Sequence, residues 1–185
     1  MGCNSSSNQV QPSERKEDKK YIKPDSQELT DWLTLVETLQ NKTDLRDYVL
    51  SRNRQSFRSL DELKEFLKKS PTETQVEKAW AAYLFICHNI DYNIKGFLSG
   101  NFGSVEPSDV FKTGLSVCSG YARLLKDLLD FFEIENVTIN GYAKGYGYEI
   151  GKKFADTNHE WNAVYIDDKW QFIESTWVIE NLLKI

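Results

Sequence analysis

Histidine and cysteine are scarce in this chain, with two of one and three of the other among 185 residues. Cys3, Cys87 and Cys118 are too scattered for a disulfide framework, and two histidines leave little material for a zinc site. A reducing, intracellular setting is the expectation. Long apolar runs are missing as well. The longest, residues 79–87, is far too short to cross a bilayer. The stretch from Asn4 to Lys20 is polar, so no signal peptide is read there. A net charge of −5 without a clustered basic surface argues against nucleic acid as the main partner. No Asp-rich loop has calcium-ligand spacing, and no metal or cofactor is expected.

Residues 1–24 contain little that can pack: Cys3, Val10, Tyr21 and Ile22 are the main apolar side chains. This stretch reads as a disordered tail. Its chemistry is more specific, because Met1-Gly-Cys-Asn-Ser-Ser6 fits the N-myristoylation pattern with Gly2 as acceptor. One myristoyl chain binds membrane only marginally, and Cys3 beside it supplies a palmitoylation site as second anchor. Arg15, Lys16, Lys19, Lys20 and Lys23 against Glu14, Glu17 and Asp18 give the segment a basic bias suited to an anionic leaflet. The expected location is the cytoplasmic face of a membrane.

From Asp25 the pattern turns helical. Leu29, Trp32, Val36 and Leu39 share one face of a helix starting near Ser26. Ser59-Leu-Asp-Glu62 reads as a capping box for a second helix, and residues 53–56 as loop. Thr72-Glu-Thr-Gln75 reads as the box of a third. On that helix Val76, Ala79, Trp80, Tyr83, Leu84, Cys87 and Ile90 form a buried face ending near Asn89, with Cys87 as a small core hydrophobe and His88 at the boundary. Residues 91–107 read as loop, and 107–114 as a helical turn closed by Gly114. A helix opening at Cys118 carries a stripe of Tyr121, Leu124, Leu125, Leu128, Leu129 and Phe132. Strands follow at 137–143, 163–166 and 170–173, the last two joined by an Asp167-Asp-Lys169 turn. Helices first and strands after them predict an α+β fold.

Three residues carry the chemistry. Cys118 sits in the first turn of its helix, where unpaired N–H groups and the positive dipole end favour a thiolate and an oxyanion. His159 precedes a strand and can serve as base. Glu174 on the neighbouring strand can hold the second ring nitrogen. Trp161 and the tyrosines at 142, 146 and 148 either line a cleft around the thiol or are core and surface; Asn158 and Asn162 are candidates for holding loops.

The wording around these residues resembles the transglutaminase-like superfamily, and within it the kyphoscoliosis peptidase branch. The resemblance rests on Cys118-Ser-Gly-Tyr-Ala122, Gly141-Tyr-Ala-Lys-Gly-Tyr-Gly-Tyr-Glu149, Asn158-His-Glu-Trp-Asn-Ala-Val164 and Ser175-Thr-Trp177. His88-Asn-Ile-Asp-Tyr92 is similar to the end of the family's preceding helix. It implies a papain-like core with a Cys-His-Asp triad, Cys118 as nucleophile and His159 as base. The likeness covers roughly residues 76–177, and the expected organisation is a tail over 1–24, a helical extension over 25–70 and a transglutaminase-like domain over 71–185. Members cross-link glutamine to lysine, hydrolyse amides, or serve as inactive scaffolds for protein partners, and fold alone does not choose among these. Three departures stand out. Glu174 occupies the usual Asp position, Phe85 stands where many relatives carry Trp on a substrate wall, and Val178 to Ile185 replace a Gly-rich turn and further strands. An open sheet edge is the expected consequence of the third.

Overall fold

A computed structural model describes residues 26–145 and 148–177, with the side chains of 26, 28, 29 and 32 excepted. Gly2 and Cys3, with the acylation expected of them, lie outside the described residues, as do Tyr146 and the segment 178–185. The chain divides into two units, Met1–Leu35 and Val36–Ile185. The described part of the first is the leading stretch of helix α1 (Ser26–Gln40).

The second unit is α+β. Four helices precede the thiol region: α2 (Thr43–Leu50), α3 (Leu60–Lys68), α4 (Gln75–Asn89) and α5 (Ile94–Ser99). Then come α6 (Pro107–Thr113) and α7 (Cys118–Phe131). Strands β3 (Asn136–Gly141), β4 (His159–Ile166) and β5 (Lys169–Ile173) form an antiparallel sheet in that order, against which α7 lies. Two-residue strands β1 (Asp91–Tyr92) and β2 (Leu115–Ser116) pair in parallel.

Several local expectations shift by a few residues. Helix α2 was not read from the sequence, and residues 54–56 form a 3-10 turn. Residues 91–107 are not plain loop: they hold β1 and α5, the latter started by Asn93, whose side chain accepts from Gly96 N–H, and closed by Gly100 at φ 73°. The box of α4 is Thr74 with Glu77, two residues later than Thr72-Gln75 suggested. At α3 only half a box forms. Ser59 accepts from Glu62 N–H, but the Glu62 carboxylate takes the Arg58 N–H instead. The Asp167–Asp168 turn has φ of 53° and 59°, the left-handed pair that matches the twist of a two-residue hairpin.

One cluster forms the core. Leu45 and Val49 of α2, Leu63 and Leu67 of α3, Phe85 and Ile86 of α4, Leu124, Leu125, Leu128 and Leu129 of α7, and Val164 and Ile166 of β4 all belong to it. Phe85 is fully buried and meets Phe57 edge-on at 5.9 Å. It is therefore core, not the substrate wall expected at that position.

This core places α7. The Tyr121 hydroxyl donates to Ile90 O at 2.6 Å, pinning the helix to the end of α4. Arg54 caps α6 through the carbonyls of Phe111 and Lys112, at 3.1 and 2.7 Å. The β1–β2 clamp, with Asp91 N–H on Gly114 O and Asn93 N–H on Ser116 O, fixes the chain two residues before Cys118.

Candidate active site

Cys118 is the first residue of α7, and its N-cap is Val117, which offers no side-chain hydrogen bond. An apolar cap leaves the opening N–H groups of the helix without a side-chain acceptor, aimed past the sulfur. Gly120 lets Ser116 and Val110 approach this first turn: a Cβ at Gly120 would lie 1.9 Å from Ser116 Oγ and 2.8 Å from Val110 Cγ2.

Alternation along β4 sends Asn162, Val164 and Ile166 toward α7. Asn162 donates to Ala122 O at 3.0 Å, tying strand to helix, and Asn158 grips Ala143 through both its amide atoms at 2.8 and 2.9 Å. His159 opens the strand. In the β4–β5 register Asn162 faces Ile173, so one step further Glu174 falls opposite Trp161, diagonal to His159 on the same face. A side chain of glutamate length spans that diagonal.

The three predicted residues therefore meet. His159 Nε2 contacts Glu174 Oε2, which leaves Nδ1 for the sulfur, and the Cys118 and His159 side chains are hydrogen-bonded. Glu174 Oε1 accepts Thr176 N–H at 2.7 Å, so both carboxylate oxygens are engaged. Burial pushes the Cys118 thiol up, but the His159 hydrogen bond and the backbone N–H of Glu160, with help from His159 charge and Ser119, bring it below its ordinary value. Burial alone lowers the imidazole; hydrogen bonds to Cys118 and Glu174 outweigh it and raise His159 to about 9. Glu174 is raised by burial and lowered further by His159 and Thr176, ending below the usual carboxylate range. The arrangement favours a thiolate–imidazolium pair across neutral pH.

Sequence reasoning left Trp161 open between cleft and core and missed most of the other surroundings. The indole of Trp177 stacks on the imidazole, and Trp161 lies 5.8 Å from it on a steeper tilt. Glu160 contributes through its N–H, which no sequence pattern announces. Tyr92 of β1 is raised by burial and then by the Cys118 charge, so its ring stands within electrostatic reach of the sulfur. Of the tyrosines, Tyr142 is exposed and Tyr148 stacks on Phe154 at 5.6 Å. Cys87 stays out of the chemistry: burial pushes its thiol up to about 12, and it sits 3.9 Å from Ser175 O beneath the Glu174 segment. Among the described residues, no cluster of His, Cys, Asp and Glu is set to hold a metal, and no helix is long and apolar enough to cross a membrane.

Cysteine at a helix start, histidine opening a strand and a carboxylate just past the end of the next strand define a papain-like thiol fold. The profile of the transglutaminase-like superfamily matches residues 62–175, and the chain belongs to that family. It is 34% identical over 119 residues to the human kyphoscoliosis peptidase, covering 64% of this chain and 18% of that protein. The mouse kyphoscoliosis peptidase is 33% identical over 105 residues, or 56% of this chain and 16% of that one. The chain thus spans less than a fifth of either relative. A crystal structure of a TGase superimposes with a TM-score of 0.46 at 13% identity, over 86% of this chain and 35% of that one.

Proposed function

We propose that this chain is a cysteine-dependent acyl-transfer enzyme acting on protein amides, of peptidase or transglutaminase type, tethered to a membrane through acyl groups on Gly2 and Cys3. The observation that carries the reading is the hydrogen-bonded row Cys118, His159, Glu174 at an uncapped helix start. In this mechanism the Cys118 thiolate attacks the amide carbonyl carbon. The first N–H groups of α7 receive the oxyanion. His159 gives its proton to the departing amine, and the C–N bond breaks to leave a thioester. Water or a lysine amine then attacks the thioester and returns a proton to His159. An acid or a new amide leaves, and the thiolate is restored. Glu174 keeps the imidazole oriented and stabilises its charged form.

The test is the rate of Cys118 alkylation by iodoacetamide against pH, on protein carrying Cys3→Ser and Cys87→Ala. An inflection well below the free-thiol value of about 8.5, lost when His159→Ala is added, is the expected result. A single inflection near that value, indifferent to His159→Ala, would sink the enzyme reading and leave a protein-binding scaffold of the same fold.

A further inference from the structure

A groove of about 490 Å³ opens between α7 and the β3 side of the sheet. Its charged walls come from Arg123, Lys126, Asp127 and Asp130 of α7, and Glu160 of β4 lies in it opposite Asn140. All but one of these charges is already matched. Asp127 holds Lys64 at 2.8 Å, Asp130 holds Lys126 at 2.9 and 3.0 Å, and Arg123 reaches Glu106 at 3.3 Å. Glu160 is the exception. It is only 6% exposed, and its carboxylate has no hydrogen-bond or ion-pair partner among the described residues. Its oxygens are not among the fully buried polar atoms that lack a partner, so they open onto the groove, which is wide enough to admit a cation beside them.

The position of Glu160 ties the groove to the thiol. Its own N–H donates to the Cys118 sulfur, while strand alternation turns its side chain away from His159 and into the groove. A polypeptide crossing Cys118 therefore has one flank beside a buried, unmatched negative charge.

We propose that this groove is a subsite for a cationic side chain, lysine or arginine, in the protein segment on which Cys118 acts, with Glu160 as the carboxylate that receives it. The cation is held there and does not react. The inference rests on Cys118 being the nucleophile.

The experiment uses short peptide chloroacetamides in which lysine, norleucine or glutamate stands one, two or three residues to either side of the warhead. Second-order rates of Cys118 alkylation are read by mass spectrometry on the full chain with Cys3→Ser and Cys87→Ala. At one position the lysine reagent is expected to outpace norleucine by about tenfold at low salt, the scale of a hydrogen bond to a charged group. The preference narrows as salt rises. Adding Glu160→Gln brings the lysine-to-norleucine ratio to about one, and any change in intrinsic thiol reactivity cancels in that ratio. No lysine preference at any position, or one that survives Glu160→Gln, overturns the subsite. Because the unsubstituted site is tested first, a poorly folded Glu160 variant does not shelter the idea. Iodoacetamide run in parallel separates the two failures. An ordinary thiol there overturns the nucleophile and the subsite with it, whereas an activated thiol without lysine preference overturns the subsite alone.

Discussion

The indole of Trp177 lies flat on the His159 imidazole, ring centroids 4.3 Å apart and planes 12° apart. The same indole packs against Gly145, where a Cβ would come within 2.9 Å of the ring. It thus joins the segment after β3 to the face of the imidazole. An aromatic face stabilises a cation resting on it, so the charged imidazole gains from this contact. A protonated imidazole at this range also quenches indole emission. Since His159 is held to about 9, Trp177 emission is expected to rise as pH passes through that value. Trp177→Phe should remove most of the step and His159→Ala all of it. Trp177→Ala should in addition lower the pH at which His159 loses its proton, visible as an earlier end to the iodoacetamide plateau. A pH-independent emission in the starting protein would show that the two rings do not stack in solution.

Glu174 spends one carboxylate oxygen on His159 and the other on Thr176 N–H. Aspartate is one methylene shorter, and the diagonal from Glu174 to His159 leaves no slack for both bonds. Glu174→Asp is therefore expected to lower turnover or thioester formation by at least tenfold, a loss of orientation. Glu174→Gln keeps the length but not the charge, so His159 should titrate nearer its ordinary value. The stability consequence has a definite sign. The raised His159 contributes fully below about 6.5, and that contribution is lost as pH rises through about 9. The melting-temperature gap between the starting protein and Glu174→Gln should be wide at pH 6 and nearly closed at pH 10. A gap independent of pH would mean that Glu174 acts through packing alone.

The long apolar stripes were legible in the sequence, and so were the caps close to them. α7 starts, and α4 and α7 end, within a residue or so of where they were expected, because burial of one face dictates them, while α4 starts two residues late. Strand pairing was legible where a two-residue turn enforced it. The shortest elements between α4 and α7 were not. β1, β2 and α5 are held by contacts across the fold, such as Asn93 N–H on Ser116 O, and leave no periodicity of their own. The triad residues could be named from their neighbours in sequence. Their meeting depends on register, and neither the Glu160 N–H nor the Trp177 stack is encoded in residue type.

Gly120 tests how tightly the first turn of α7 is packed. Alanine raises helix propensity by about 1 kcal/mol over glycine. Here its methyl would meet Ser116 Oγ at 1.9 Å, Ser116 Cβ at 2.7 Å and Val110 at 2.8 Å. The hydroxyl can turn aside but the Ser116 Cβ and Val110 cannot, so overpacking wins and Gly120→Ala should cost about 1–3 kcal/mol. The displaced turn would also carry the sulfur away from His159, and iodoacetamide reactivity at neutral pH should fall with stability. Ser116→Ala makes the opposite case. Its hydroxyl is fully buried and has no partner among the described residues. Removing an unsatisfied hydroxyl should leave the urea midpoint unchanged or raise it slightly.

Glu77 is the buried acid on which the start of α4 turns. Its carboxylate accepts Glu73 N–H at 2.6 Å and Thr74 N–H at 3.3 Å, and it contacts the Lys42 ammonium. Burial pushes this carboxyl up, but the Glu73 and Thr74 amides and Lys42 together hold it below its ordinary value. A depressed carboxylate contributes stability above its unfolded value, and that contribution is lost as pH falls through the folded one. Thr74→Ala removes a neutral cap and should cost about 1 kcal/mol at any pH. Glu77→Gln removes the charge, leaving Lys42 without its partner and two N–H groups with a weaker acceptor. It should destabilise more than Thr74→Ala at pH 7, and its deficit should shrink in acid while that of Thr74→Ala persists. Parallel urea melts at pH 7 and pH 3 separate the two. Equal deficits at both pH values would place the contribution of Glu77 in shape and not in charge.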